Sequence, residues 1–383
     1  MVTRIGLVGL GKMGNNMRAR VRAAGIEVVG YDPRPEVSDV ATLADLVAAL
    51  PDDGPRIVWV MVPAGDATRG VVTELGGLLG EGDFVIEGGN SYYAEDQARA
   101  AELAEKGVGY LDVGVSGGVW GLENGYGLMV GGDRTYVEAA MPVFDALRPD
   151  GPREEGFVHA GEVGAGHFAK MVHNGIEYGL MQAYAEGYEL LAAKSELVKD
   201  VHGTMKAWTR GTVVRSWLLD LFVKALEEDP QLAAIDDWVD DSGEGRWTVD
   251  EAIDNAVPLP VISAALFARF ASRQEQSPAL KAVAALRQPC GGHAGTAAGP
   301  AAPGAGRGAP PRTGLSQTTP PVPPSGAPDE PADPYAPRRP HQPPLTPYHP
   351  PTADAPAAPA AGGFVAPSGA GGGDGSGPGG GVG

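Results

Sequence analysis

The stretch Ile5-Gly6-Leu7-Val8-Gly9-Leu10-Gly11-Lys12-Met13-Gly14 decides the fold. It begins as a short apolar run that is typical of a buried strand, and it continues with the spacing GxGxxG at the start of a helix-length segment. Glycines at these positions permit a tight turn and let backbone N–H groups meet a pyrophosphate at a helix N-terminus. We therefore predict a dinucleotide site, the alternative being a Gly-rich turn with a purely structural role.

The alternation of short apolar runs and helix-length segments continues to about residue 160. Runs at 27–31, 56–62 and 83–87 each precede a helical pattern, and a further run occupies 109–113. Strand and helix in turn predict an α/β fold with a parallel, doubly wound sheet and helices on both faces. Residues 1–160 are thus predicted to form a Rossmann dinucleotide-binding domain.

From residue 161 the pattern changes to helical periodicity without intervening strands. The helical segments lie at 164–194, 212–228 and 260–273. They predict a second, all-α domain over residues 161–290. Beyond it, 43 of the 93 residues in 291–383 are proline or glycine. That composition has too few large apolar side chains to offset the entropy of ordering, so we predict a low-complexity, disordered tail.

Charge and cysteine content exclude several classes of protein. Residues 1–290 carry a net charge of −18, which repels nucleic acid and anionic membrane surfaces. The single cysteine, Cys290, cannot form an internal disulfide, and the longest nearly apolar stretch, 257–268, is too short to span a bilayer. We expect a cytoplasmic protein that binds neither nucleic acid nor a membrane.

Asp32 ends the second predicted strand, eighteen residues after Gly14. A carboxylate at this position can accept hydrogen bonds from the adenosine ribose and repels a 2′-phosphate, which favours NAD over NADP. Two alternatives remain open. Asp32 followed by Pro33 could simply start a turn, and Arg34 could meet a 2′-phosphate, so NADP stays possible.

Four polar side chains share one face of the long helix predicted at 164–194. Lys170, His173, Asn174 and Glu177 follow the spacing i, i+3, i+4, i+7. Such a face could be a solvated stripe, but apolar neighbours on both sides indicate a lined cleft instead. The loops at 87–91 and 112–118 follow the fourth and fifth strands and could either reach this cleft or be ordinary tight turns.

These motifs together resemble the decarboxylating 6-phosphogluconate dehydrogenases, in their short bacterial form. The resemblance covers about residues 3–293 and includes GxGxxG, the segment 170–178 and Gly245-Arg246-Trp247-Thr248. Lysine and asparagine at the spacing of Lys170 and Asn174 would fit any β-hydroxyacid dehydrogenase. His173, Glu177 and Tyr178 beside them are what the decarboxylating family carries.

The resemblance implies oxidation of 6-phospho-D-gluconate to D-ribulose 5-phosphate and CO2, a reaction of the pentose phosphate pathway and of gluconate utilisation. Neutral Lys170 would take the proton of the 3-hydroxyl, and Glu177 would protonate C1 of the enediol. This division of roles requires a lysine with a lowered pKa and a carboxyl that carries a proton near neutral pH. It requires no metal, and the sequence has no cluster of ligands with metal spacing.

The resemblance also assigns the binding residues. The cofactor, NAD or NADP, is held by Gly9, Gly11, Met13, Gly14 and Asp32. The sugar acid is held by Asn90, Ser116, Gly117, Gly118, His173 and Asn174. Its 6-phosphate is taken by Tyr178, Arg246 and Arg269, and the remaining ligands are Arg287 and His293 of a neighbouring subunit. A homodimer or homotetramer with a shared active site is therefore implied.

Two alternative functions remain. A non-decarboxylating β-hydroxyacid dehydrogenase, such as one for 3-hydroxyisobutyrate, would share Lys170 and Asn174 but would not need Glu177, Arg246 or Arg269. A non-catalytic dinucleotide-binding protein, or one that acts through its Pro-rich tail, would need none of them.

Overall fold

A seven-stranded sheet forms the first half of the molecule, with strand order β2-β1-β3-β4-β5-β6-β7. The computed structural model describes residues 2–291, and side chains as far as Leu286. The predicted tail, His293 and the side chain of Arg287 lie outside this description. The strands are β1 (Arg4–Val8), β2 (Glu27–Tyr31), β3 (Ile57–Val60), β4 (Phe84–Glu87), β5 (Gly109–Ser116), β6 (Gly127–Gly132) and β7 (Phe157–Gly161).

Helices cover both faces of this sheet, as the alternating pattern predicts. Two buried apolar clusters lie on opposite faces, one around Trp59 and Phe144 and the other around Leu46 and Leu75. The Rossmann arrangement is therefore confirmed. The helices of this half are α1 (Lys12–Ala23), α2 (Leu43–Ala48), α3 (Asp66–Leu78), α4 (Tyr93–Ala104), α5 (Gly121–Asn124) and α6 (Arg134–Leu147).

The sheet departs from the parallel arrangement at β6, which pairs antiparallel with β5. Residues 117–126 connect the two strands with only a single 3₁₀ turn and the four-residue α5. A parallel neighbour requires a crossover of about a dozen or more residues, usually with a full helix. The connection is too short for that, so the chain turns back on itself.

The second half is helical among the described residues, as predicted, but it holds more helices than the sequence indicated. Three of them, α8, α10 and α12, were not predicted. The helix predicted from residue 212 begins only at Trp217, because the Ser216 hydroxyl caps it by accepting from Leu219 N–H. None of the helices in residues 2–291 is both long and apolar enough to cross a bilayer. The helices are α7 (Ala165–Ala193), α8 (Val201–Trp208), α9 (Trp217–Glu228), α10 (Glu244–Asp254), α11 (Pro260–Ser272) and α12 (Pro278–Gly291).

The long helix α7 lies directly on the backbone of β5 and β6. Gly166 of α7 faces β5 so closely that a Cβ on it would come within 2.6 Å of the Asp112 carbonyl oxygen. Gly114 of β5 lies against α7 in the same way. A Cβ there would overlap the Cβ of Lys170 and lie 2.7 Å from the Gly166 carbonyl oxygen. The two glycines thus set the height of α7 above the sheet.

Replacing Gly114 by alanine is expected to lower the free energy of unfolding by about 2 kcal/mol, since an added methyl in a packed interface forces helix and strand apart. Chemical denaturation measures this change. The matched control is Gly127→Ala on the paired strand β6, where a new Cβ meets nothing nearer than 3.9 Å. Equal stability of the two variants would show that α7 is not held at this contact.

Candidate active site

A cleft of about 970 Å³ opens between the sheet and the helical half. The loops after β1, β4 and β5 line one side of it, at the carboxyl ends of parallel strands where doubly wound folds bind their ligands. The opposite side is formed by α7 and the beginning of α9. The predicted site residues that line the cleft are Gly11, Met13, Gly14, Asn90, Ser116, Gly117, Gly118, Lys170, His173, Asn174 and Glu177.

The GxGxxG loop has the shape that a dinucleotide requires. Gly14 lies against the Gly9 carbonyl oxygen, so that a side chain at Gly14 would collide with it, while no atom lies within 4 Å of a Cβ built on Gly11. The N-terminus of α1, starting at Lys12, has no side-chain cap and faces the cleft. Free backbone N–H groups beside an open glycine fit a pyrophosphate.

Asp32 lies behind this loop, outside the lining of the cleft. Its carboxylate accepts hydrogen bonds from Leu10 N–H at 2.8 Å and from Arg34 Nε at 2.8 Å. The hydrogen bond from Arg34 lowers the pKa of Asp32 to about 2. Asp32 is therefore ionised. Arg34, the residue that could meet a 2′-phosphate, forms an ion pair with it.

Lys170 projects from the first turns of α7 into the cleft and donates a 2.5 Å hydrogen bond to Asn174 Oδ1. Burial lowers the pKa of the Lys170 amine, and the nearby carboxylates of Glu244 and Glu177 oppose the shift without cancelling it. This is the direction of shift that the expected role of Lys170 as a base requires. It raises the fraction of neutral amine, the form that can accept a proton.

His173 connects two parts of the cleft wall. Its Nε2 lies 3.5 Å from the Ser116 hydroxyl, and its Nδ1 lies 3.8 Å from Glu177 Oε2. Burial, followed by the nearby Lys170 amine, lowers the pKa of the imidazole. The side chains of His173 and Glu177 are 46% and 37% exposed, so both are open to a ligand in the cleft.

The three residues expected at the 6-phosphate lie together, but away from the lining of the cleft. The Tyr178 ring is buried under the Arg269 guanidinium, which lies 3.7 Å above it. Arg246 forms an ion pair with Asp241 at 2.6 Å. Because its positive charge is already paired, Arg246 has to exchange this partner in order to bind an anion.

Several residues of the site were not found from the sequence. Trp217 and Leu221 of α9 close one side of the cleft, and Lys224 of the same helix lies 4.6 Å from the Trp120 ring on the loop after β5. Glu244 is a buried carboxyl whose charge acts on Lys170. The spacing of these residues along the chain carries no signal for the cleft.

A buried polar cluster was also missed. The sequence shows no ligand cluster with metal spacing, yet the fold brings Glu87, Asp96 and His167 within 4.8 Å of one another. Asp96 and His167 are 71 positions apart in the chain, so no short motif could reveal the contact. Glu87 is the last residue of β4.

Comparison with known proteins places the two halves in one family. Residues 4–149 match the model of the NAD binding domain of 6-phosphogluconate dehydrogenase, and residues 166–293 match that of the 6-phosphogluconate dehydrogenase C-terminal domain. The chain belongs to the 6-phosphogluconate dehydrogenase family. As a member, it is an oxidoreductase with a Rossmann domain for a nicotinamide dinucleotide.

Individual relatives agree with this family. The NAD(+)-dependent, decarboxylating 6-phosphogluconate dehydrogenase of Haloferax volcanii is 42% identical over 300 residues, 76% of this chain and 97% of that protein. The enzyme of the same description from Bacillus subtilis is 36% identical over 71% of this chain but only 62% of its own length. The structure of Plasmodium falciparum 6-phosphogluconate dehydrogenase, studied with NADP+ and with 6-phosphogluconate, superposes with a TM-score of 0.63 at 26% identity. That match covers 78% of this chain and 67% of the Plasmodium chain.

Proposed function

We propose that this protein oxidises 6-phospho-D-gluconate and decarboxylates it to D-ribulose 5-phosphate and CO2, with reduction of NAD. The observation that carries the proposal is that one cleft joins the GxGxxG loop to Lys170, His173, Asn174 and Glu177. In this proposal residues 1–160 hold the cofactor, and residues 161–290 supply the amine and the carboxyl. The reaction would take place in the cytoplasm, as a step of the pentose phosphate pathway.

Lys170 acts first as a base. Its neutral amine takes the proton of the substrate's 3-hydroxyl, which leaves the C3 hydrogen to depart with its electron pair. A bound nicotinamide dinucleotide supplies the acceptor for that hydride. The carbonyl of Asn174 orients the Lys170 amine through their hydrogen bond, and the lowered pKa of Lys170 keeps part of it neutral before substrate binds.

The same lysine then assists the loss of CO2. Once protonated, the Lys170 ammonium donates a hydrogen bond to the 3-keto oxygen and stabilises the negative charge that develops there as the C1–C2 bond breaks. The carboxyl of Glu177 delivers a proton to the former C2 carbon, which becomes C1 of the pentulose. The position of Glu177 two turns after Lys170 on the same face of α7 supports this division.

Asn90, Ser116, Gly117 and Gly118 are proposed to hold the sugar acid, since all four line the cleft opposite α7. Tyr178, Arg246 and Arg269 are proposed to take the 6-phosphate, after Arg246 leaves Asp241. Arg287 and His293 of a second copy would complete the pocket. Exposed apolar side chains on the helical half, among them Leu190, Val261 and Phe267, support association with a second copy.

The preference for NAD rests on Asp32. Its pKa of about 2 keeps the carboxylate charged at any neutral pH, and the ion pair withholds Arg34 from a 2′-phosphate. We expect Asp32→Asn to lower the ratio of kcat/KM for NAD to that for NADP by about tenfold, ~1.4 kcal/mol, because repulsion is removed and Arg34 is released. Steady-state kinetics with both cofactors measures the ratio. Asp53→Asn, at an exposed position, is the control, and an unchanged ratio in Asp32→Asn would refute the role of Asp32.

The whole proposal is tested by incubating the protein with 6-phosphogluconate and either cofactor. Absorbance of the reduced nicotinamide reports hydride transfer, and trapped CO2 reports decarboxylation. Both signals in equal amounts are expected. Reduced cofactor without CO2 would indicate a non-decarboxylating β-hydroxyacid dehydrogenase, and the absence of both signals would contradict the proposed enzyme.

A further inference from the structure

We propose that His167 and Asp96 are positioning residues, whose buried contact holds Lys170 in register with the two loops that bind the substrate. This inference rests on the proposed function, because the reaction whose rate it concerns is the one proposed above. Neither residue lines the cleft. Both would act through the elements that carry the reacting groups.

The contact lies between α7 and α4. His167 Nδ1 is 2.6 Å from Asp96 Oδ2, and the two side chains are 1% and 0% exposed. Asp96 Oδ1 accepts a hydrogen bond from the Tyr110 hydroxyl of β5 at 2.7 Å. A single carboxylate thereby joins α4, α7 and β5.

A second carboxylate fixes the start of α7. Asp112 of β5 accepts hydrogen bonds from Gly164 N–H at 2.7 Å and from His167 N–H at 2.8 Å. These are N–H groups of the first helical turn, which have no partner within the helix. The backbone of His167 is therefore tied to β5 while its side chain is tied to α4.

A third carboxylate extends the cluster to the loop after β4. Glu87 Oε1 accepts a hydrogen bond from Gly89 N–H at 2.7 Å, which shapes the turn leading to Asn90. Glu87 Oε2 lies 3.9 Å from His167 Nδ1 and 3.9 Å from Arg99 Nη1. The charged groups of the cluster are thus Glu87 from β4, Asp96 and Arg99 from α4, Asp112 from β5 and His167 from α7.

Three residues of the cluster, His167, Glu87 and Asp112, each precede a cleft residue by a short, fixed length of chain. Lys170 follows His167 by one helical turn. Asn90 lies three residues after Glu87, in the loop that follows β4. Ser116 is the last residue of β5, the strand that contains Asp112. A shift of the cluster therefore alters the distances between Lys170, Asn90 and Ser116 at once. Proton and hydride transfer lose rate steeply when such distances change.

Two cations already lie among the three carboxylates of the cluster. Burial by itself would lower the pKa of His167, but the carboxylates of Glu87 and Asp96 outweigh it and raise the pKa to about 9. His167 is then an imidazolium at neutral pH, and the Arg99 guanidinium, 3.4 Å from Asp96, is a second cation. These two positive charges disfavour a metal ion among the same carboxylates.

The experiment compares His167→Gln, Asp96→Asn and the double variant with wild type. We expect each single variant to lose at least about tenfold in kcat with the KM for 6-phosphogluconate changed by less than about twofold, because binding groups remain while their alignment with Lys170 is lost. The double variant is expected to have a higher kcat than either single variant. In each single variant one member of the pair keeps its charge without its partner, whereas in the double variant both members are neutral amides. His159→Gln is the matched control. Its ring contacts the Gly132 carbonyl at 2.8 Å, away from the cluster.

A readout that needs no substrate separates this inference from the proposed function. The pH dependence of Lys170 modification by an amine reagent, followed by mass spectrometry, has a midpoint set by the surroundings of that amine. We expect the midpoint to move to higher pH in His167→Gln, as Lys170 shifts from its buried position toward water. If wild type fails to turn over 6-phosphogluconate, only the proposed function is refuted, and the midpoint still decides the inference.

Three results would overturn the inference. One is a folded His167→Gln protein with wild-type kcat and an unchanged midpoint. Another is a loss of kcat that follows only the loss in melting temperature and disappears when the assay is cooled, which would mark a purely structural role. The last is a wild-type activity that a chelator removes and a divalent metal restores, which would make the cluster a metal site instead.

Discussion

Lys170→Met is expected to lower kcat by roughly 10³-fold, within the range of about 10² to 10⁴ that a positioned acid or base contributes. Methionine fills nearly the same volume but cannot take the proton of the 3-hydroxyl or stabilise the 3-keto oxygen. Stopped-flow absorbance of the reduced nicotinamide measures the step directly. The result distinguishes a base from a residue that only binds, because loss of binding would raise KM and leave kcat in place.

Two controls accompany this variant. Lys199→Met removes an exposed lysine whose amine contacts the Ser195 carbonyl, and its kcat should equal that of wild type. Binding of reduced cofactor to Lys170→Met should also be unchanged, since the GxGxxG loop is untouched. A Lys170→Met protein with more than about a tenth of wild-type kcat would contradict the assignment of the base.

The Lys170 amine also determines the expected dependence of kcat/KM on pH. A base acts in its deprotonated form, so kcat/KM should rise with pH as the free enzyme loses the Lys170 proton. Because burial lowers the pKa of Lys170, this rise is expected at a lower pH than for an exposed lysine. Restoring solvent around the amine, as in the His167 variant, should move the rise to higher pH.

Glu177→Gln is expected to lower steady-state kcat by about 10²-fold while leaving the first hydride transfer largely intact. Glutamine keeps the shape of the side chain, but its amide cannot deliver a proton to C1 of the enediol. Rapid mixing should therefore show a burst of reduced cofactor followed by slow formation of ribulose 5-phosphate. The two signals together identify the protonation step as the one that is slowed.

The matched control for this variant is Glu186→Gln on the same helix. Glu186 is exposed and accepts a hydrogen bond from Gln182 at 2.9 Å, so its replacement should leave both phases unchanged. Full activity of Glu177→Gln, or equal slowing of hydride transfer and product formation, would mean that another group supplies the proton.

The sequence predicted those parts of the site that short-range spacing determines. The GxGxxG loop and the polar face of α7 are local patterns, in which the periodicity of the backbone alone brings the residues together. It also predicted which strand ends would meet, because parallel strands present their carboxyl ends at one edge. That rule indicated the loops at 87–91 and 112–118 as candidates, whereas Asn90 and Ser116 themselves were assigned through the family resemblance.

Contacts between distant segments were not predictable in this way. The pairing of His167 with Asp96 depends on how α7 and α4 pack on the sheet, and the ion pair of Arg246 depends on a loop that has no periodic pattern. For some helices the local helix propensity of the sequence was also too low to indicate them. The first turn of α10 contains Glu244 between Gly243 and Gly245, and glycines weaken the helical signal there even though packing makes the segment helical.

The absence of a side chain on Gly114 beneath α7 has a consequence for product release. A helix seated on bare strand backbone cannot slide or tilt without steric collision, so the lysine-bearing wall and the sheet move as one rigid body. The beginning of α9 completes the same wall, and its Lys224 lies 4.6 Å from the Trp120 ring on the loop after β5. A movement of α9 away from this loop has to break that contact, so we expect the contact to matter when release of the proposed product limits turnover.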